Sequence, residues 1–157
     1  MLLYGIHAIT RVDDIAVVYV RKPPETPGAP YLVFGSLADG GVDVDIILQT
    51  ASFGHGGDLI FTIHTVDIDR ARDILETTFK DSPETTVEID PTAVKLSVSG
   101  EGMQGKPGVA AKVFKCLWDA DVRILNTSTS EIKICMLVPG RDADRAYQAL
   151  VDGFEIV

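Results

Sequence analysis

The chain has 157 residues, with 14 Lys+Arg against 23 Asp+Glu for a formal net charge of −9. That balance disfavours nucleic acid and anionic membrane surfaces as partners, and no apolar run approaches the roughly 18 residues of a membrane span. Cys116 and Cys135 stand isolated in apolar patterns, which predicts buried free thiols rather than a disulfide or metal site. Met1-Leu2-Leu3-Tyr4 lacks the basic stretch and long apolar core of a signal peptide, so a reducing cytoplasm is the expected setting.

In chain order, alternation and β-branching predict strands over residues 4–11, 16–20 and 42–48. A helix lies between the last two, opening after Pro27-Gly28, carrying Leu32, Val33 or Phe34, and Leu37, and ending at Gly40-Gly41. A strand over 59–64 leads to a helix that starts at Asp67, an N-cap residue, and strands over 86–89 and 94–99 follow. Pro107-Gly108 opens a third helix with Val113, Phe114, Leu117 and Trp118 as its apolar stripe, which places Trp118 in a core or interface. Strands over 122–125 and 132–138 precede a last helix from Asp142 to near Phe154.

These elements repeat. Pro27-Gly28, Val33-Phe34, Leu37, Asp39 and Val42 recur 80 residues on as Pro107-Gly108, Val113-Phe114, Leu117, Asp119 and Val122. Asp67-Ile68-Asp69-Arg70-Ala71 with Leu75 recurs 75 residues on as Asp142-Ala143-Asp144-Arg145-Ala146 with Leu150. The offset shrinks because the first copy carries a glycine-rich insertion, Phe53-Gly54-His55-Gly56-Gly57. Two copies with one internal order mean two domains of one fold. The strand and helix order of the first copy is the βαββαβ of a ferredoxin-like α+β sandwich. The second copy lacks a closing strand, since only Glu155-Ile156-Val157 follow its last helix. The unpartnered segment 4–11 supplies it, so the first copy is inserted into the second. The expected domains are residues 14–91, and 92–157 completed by a strand within 1–13.

Two further strings make the chain resemble a known family. Gly100-Glu101-Gly102-Met103, Pro107-Gly108 and Phe114, followed by Ser128-Thr129-Ser130-Glu131-Ile132-Lys133-Ile134, resemble the C-terminal regulatory region of aspartokinases. Glu25-Thr26-Pro27-Gly28 and Val42-Asp43-Val44-Asp45-Ile46-Ile47-Leu48-Gln49 are similar to that region's first repeat. The resemblance implies two ACT domains, small amino-acid-sensing modules of βαββαβ fold. It implies a threonine or lysine effector, a homodimer, and association with an aspartokinase catalytic domain or subunit. No Gly-rich phosphate loop with a following Lys is present, so no catalysis on its own and no cofactor are expected. A free-standing ACT sensor or scaffold for another partner is the alternative. A ferredoxin-like acyl-phosphate hydrolase is the weakest reading, because no Arg/Asn pair or nucleophile set recurs at a loop.

The candidate effector-binding residues follow. A helix start beyond Pro27 and Gly28 offers amides and a dipole to an anion such as an amino-acid carboxylate. Glu25, Asp43 or Asp45 could receive the ammonium, and Gln49 a polar side chain. Pro30 and the pair Val42-Asp43 occupy positions where the family usually has Ala and Ile-Asn; in the second copy that pair is Val122-Arg123. Ser130 and Glu131 lie in a hydroxyl-rich bend that either contacts effector or caps backbone amides. His7, His55 and His64 have no metal-like spacing and read as surface or core positions.

Overall fold

The computed structural model describes residues 3–51 and 57–157. Most of the predicted insertion, Phe53 to Gly56, therefore lies outside the described residues. The elements run β1 (Ala8–Val12), β2 (Ile15–Arg21), α1 (Ala29–Asp39), β3 (Ile47–Gln49), β4 (Leu59–His64), α2 (Ile68–Thr78) and β5 (Thr86–Asp90). They continue through β6 (Ala93–Ser99), α3 (Val109–Asp119), β7 (Asn126–Thr129), β8 (Lys133–Pro139) and α4 (Ala143–Gly153). The chain divides into two compact units, Asp14–Pro91 and Met1–Asp13 with Thr92–Val157. Each is an antiparallel four-stranded sheet with two helices, in strand order β3-β4-β2-β5 and β7-β8-β6-β1 respectively.

The first repeat thus sits within the second, as strand counting requires. β1 occupies beside β6 the place that β5 occupies beside β2, pairing Ala8 with Ser99 through Val12 with Lys95. Its approach is possible because two glycines meet where the chain enters and leaves this edge. A Cβ on Gly5 would land on the Cα of Gly102, and one on Gly102 on the Cα of Gly5. The Gly100-x-Gly102 string thereby acquires a packing role: it lets the N-terminal segment cross. Arg11 of β1 also pairs with Asp144 of α4, tying the added strand to the helical layer.

Each unit has its own core under its helices. In Asp14–Pro91 it is built from Val18, Val20, Val33, Leu37, Phe61 and Leu75; in the other unit from Leu96, Val98, Val113, Leu117, Met136 and Leu150. The recurring aliphatic residues Val33/Val113, Leu37/Leu117, Val42/Val122, Ala71/Ala146 and Leu75/Leu150 are core positions in both units, related by packing need. Trp118 is not one of them. Val109, Val113 and Leu117 form the buried face of α3, and Trp118, rotated about 100° from Leu117, is 80% exposed. Cys116 and Cys135 are free but only half-buried; desolvation raises the pKa of the Cys116 thiol.

Three expectations need correction in detail. The strands predicted over 42–48 and 122–125 begin later, at Ile47 and Asn126. Their early residues instead end the preceding helices. Val42 N–H donates to the Leu37 carbonyl and Gly41 N–H to Ala38; Val122 donates to Leu117 and Asp121 to Trp118. Both are Schellman caps, with Gly41 and Asp121 at φ 75° and 54°. In the first copy the Thr62 hydroxyl also accepts from Ile46 N–H, which displaces the regular ladder. The Asp67 and Asp142 side chains do not cap α2 and α4, although both residues stand at N-cap positions. Each is instead paired with an arginine three residues on.

That pairing recurs in both units. Arg70 holds Asp67 at 2.8 Å and donates to the Gly40 carbonyl at 3.2 Å. Arg145 holds Asp142 at 2.9 Å and donates to the carbonyls of Ala120 at 2.6 Å and Asp121 at 2.8 Å. The orphan carbonyls that end α1 and α3 thus find donors on α2 and α4. The Asp-x-Asp-Arg string thus forms a local i,i+3 ion pair and, through the same arginine, a clamp onto the preceding helix.

Candidate functional site

The Pro27-Gly28 turn opens α1 as predicted, with Gly28 at the N-cap and Pro30 in the first turn. Here the chain shapes an open cavity of roughly 310 Å³, lined by Glu25, Pro27, Pro30, Gln49, Gly57 and Leu59 among others. Pro23 and Pro24 join Pro27 and Pro30 in its wall, so the backbone torsions on that side are largely preset. Gln49 arrives from β3, the edge strand, whose pairing with β4 sets it opposite Leu59. Asp58 secures this end of the sheet: its carboxylate accepts from Lys22 N–H at 3.0 Å, and its own N–H donates to the Thr50 hydroxyl at 2.8 Å.

The cavity gathers some of the candidates and leaves others elsewhere. Glu25, Pro30 and Gln49 line it, with Gly28 at the adjoining helix start. Val42 is buried in the core of the same unit, and Asp43 follows it, exposed, at the far end of α1. Eleven residues of helix separate the two ends, roughly 16 Å at 1.5 Å per residue. Asp45 lies between them, exposed, its N–H on the Thr62 carbonyl. Ser130 and Glu131 belong to the other unit. Ser130 N–H closes the β7–β8 hairpin on the Lys133 carbonyl at 2.8 Å, and Glu131 accepts from Gln104 at 3.1 Å.

The helix start supplies fewer donors than the motif alone suggests. Ala29 N–H is spent on the Thr26 carbonyl at 3.1 Å, and Pro30 has no N–H. An anion here would rely on the remaining amides and the dipole. Sequence reasoning named neither Pro23, Pro24 and Thr26 nor Leu59 as part of this wall. The proline spacing before α1 was the available signal; Leu59 reads from sequence only as a strand residue. Among the described residues no group of three His, Cys, Asp or Glu side chains could hold a metal ion, and no helix is long and apolar enough to cross a membrane.

Comparison with known proteins agrees with this architecture. An ACT domain family model matches residues 96–154. An aspartate kinase of Pseudomonas fluorescens is 33% identical over 143 residues, covering 91% of this chain but 35% of its own length. The chain thus spans about a third of such relatives. Among solved structures, one of aspartokinase alpha and beta subunits is similar at 31% identity and TM-score 0.86, over 96% of this chain and 99% of that one. The ligand-free regulatory subunit of aspartate kinase from Thermus thermophilus is similar at 26% identity and TM-score 0.89, again over 96% and 99%. Near-complete overlap with a regulatory subunit, together with two interleaved βαββαβ units, places this chain in the aspartokinase family, as a regulatory region built of paired ACT domains.

Proposed function

We propose that the chain is the effector-sensing part of an aspartate kinase, binding threonine or lysine for feedback control of aspartate-family amino-acid synthesis. The observation that carries this reading is the cavity at the α1 start, where Glu25, Pro30 and Gln49 converge beside Gly28. The effector carboxylate faces the α1 N-terminus, the ammonium faces Glu25 or a backbone carbonyl, and the side chain reaches toward Gln49. The proline-rich wall favours binding because little chain entropy is lost on ordering it. Asp43, Asp45, Ser130 and Glu131 lie outside this cavity and contribute only where another chain supplies them, and Val42, a core residue, contributes by packing alone.

The chain works as a homodimer and transmits occupancy to an aspartokinase catalytic domain or subunit. It has no kinase activity by itself. A thermal-shift panel of the twenty amino acids tests the effector. Threonine or lysine should stabilise the fold by about 2.7 kcal/mol at a hundredfold excess over Kd, and Gln49→Ala should abolish or weaken a threonine shift. Absence of any shift with both amino acids at about 10 mM rejects the site. Sedimentation at micromolar concentration should give twice the 16.9 kDa chain mass; a single-chain mass with and without effector rejects the dimer.

A further inference from the structure

The two repeats diverge around their shared clamp. In the second, Trp118, Arg123 and Arg141 surround the Arg145–Asp142 pair and, with Asp121, line an open cavity of roughly 330 Å³. In the first, the corresponding positions are Ala38, Asp43 and Val66, beside Arg70 and Asp67. The clamp is common, so the fold does not require the aromatic ring and the two extra cations. Arg145 is committed to Asp142 and to the Ala120 and Asp121 carbonyls. Arg123 and Arg141 are exposed, and among the described residues neither has a hydrogen-bond or ion-pair partner. Once Arg145 and Asp142 neutralise each other, two guanidiniums face one carboxylate, Asp121, in a chain of net charge −9.

We propose that this cavity is a binding site for a small phosphorylated anion, present only in the second repeat. Two free guanidinium forks suit phosphate oxygens, which each fork can hold in bidentate fashion. The indole of Trp118, 80% exposed beside them, offers a flat face to any ring the phosphates carry. The site is distinct from the proposed amino-acid site, which lies in the first repeat at the opposite end of the equivalent helix.

Trp118 is the single tryptophan and borders both this cavity and an apolar one with Phe114 and Ile124, so its emission reports on this region and the arginine variants assign the response to this cavity. The 157-residue chain is titrated with pyrophosphate and with ADP at constant ionic strength, and binding is confirmed by calorimetry. A saturable change with Kd below about 1 mM is expected, weakened about tenfold or more in Arg123→Gln and in Arg141→Gln and unaltered in Lys80→Gln of the first repeat. Arg123→Lys and Arg141→Lys keep the charge but lose the fork, and should also bind more weakly. Tighter binding of ADP than of pyrophosphate assigns the ligand to nucleotides; equal binding assigns it to phosphates without a stacking ring. No saturable response up to about 10 mM, or a response retained in the Arg123→Gln/Arg141→Gln double variant, overturns the proposal. Neither result bears on threonine or lysine binding in the first repeat.

Discussion

Asp121 shows how one residue departs from an otherwise repeated design. Its counterpart Gly41 adopts the same left-handed backbone at no steric cost, whereas a Cβ there is disfavoured. Asp121→Gly should therefore stabilise the second repeat by about 0.5–1 kcal/mol, and Gly41→Ala should destabilise the first by about 1 kcal/mol or more. Urea melts that show no change for either would mean the Schellman caps carry no strain. Glu25 and Gln49 make the opposite point. Their chemistry is visible in the sequence, but their common cavity arises from a turn and an edge strand separated by a helix and its cap.

At the scale of elements, the arginine clamp joins the second helix of each repeat to the end of the first. Asp142 keeps only 10% of its side chain exposed, so removing its cation leaves a nearly buried carboxylate. Arg145→Met should cost about 1–3 kcal/mol. Arg70→Met should cost less, because its backbone contacts are longer at 3.2 and 3.5 Å. Equal losses in a denaturant series would contradict that ranking. A second contact joins α3 and α4 at Gly153, where an added Cβ would meet the Cys116 sulfur. Gly153→Ala should cost about 1–3 kcal/mol through overpacking, and Cys116→Ala should relieve most of it. A double-mutant cycle with no coupling between the two positions would show that the helices simply shift apart.

For the molecule as a whole, the N-terminal strand decides whether the second repeat has a complete sheet. Removing residues 1–12 uncovers the edge of β6, which otherwise bonds β1 along five residue pairs, and an exposed edge is a template for aggregation. Hydrogen exchange in the truncated chain should lose protection at the β6 amides that bond β1, while those that bond β8 and the amides of β2 and β4, whose neighbours lie within 14–91, stay protected. Retained protection at the β6 amides that bond β1 would mean that β1 is dispensable.

The repeat, the order of strands and helices, and the inserted topology were legible in the sequence because each depends on local periodicity or on counting. Core residues must recur at fixed spacing if two segments bury the same helix faces, which is why Leu37 and Leu117, or Leu75 and Leu150, align. The start of β3, the exposure of Trp118 and the roles of Asp67 and Asp142 were decided only in three dimensions. In each case two local preferences competed, and tertiary packing chose between them: the Thr62 hydroxyl against the ladder, Leu117 against Trp118 for the buried face, and an arginine, held on the carbonyls that end the preceding helix, against the helix amides. The candidate site divides in the same way. Pro27, Gly28 and Pro30 set its rim by their own backbone torsions, whereas Gln49 and Leu59 reach it only because β3 pairs with β4.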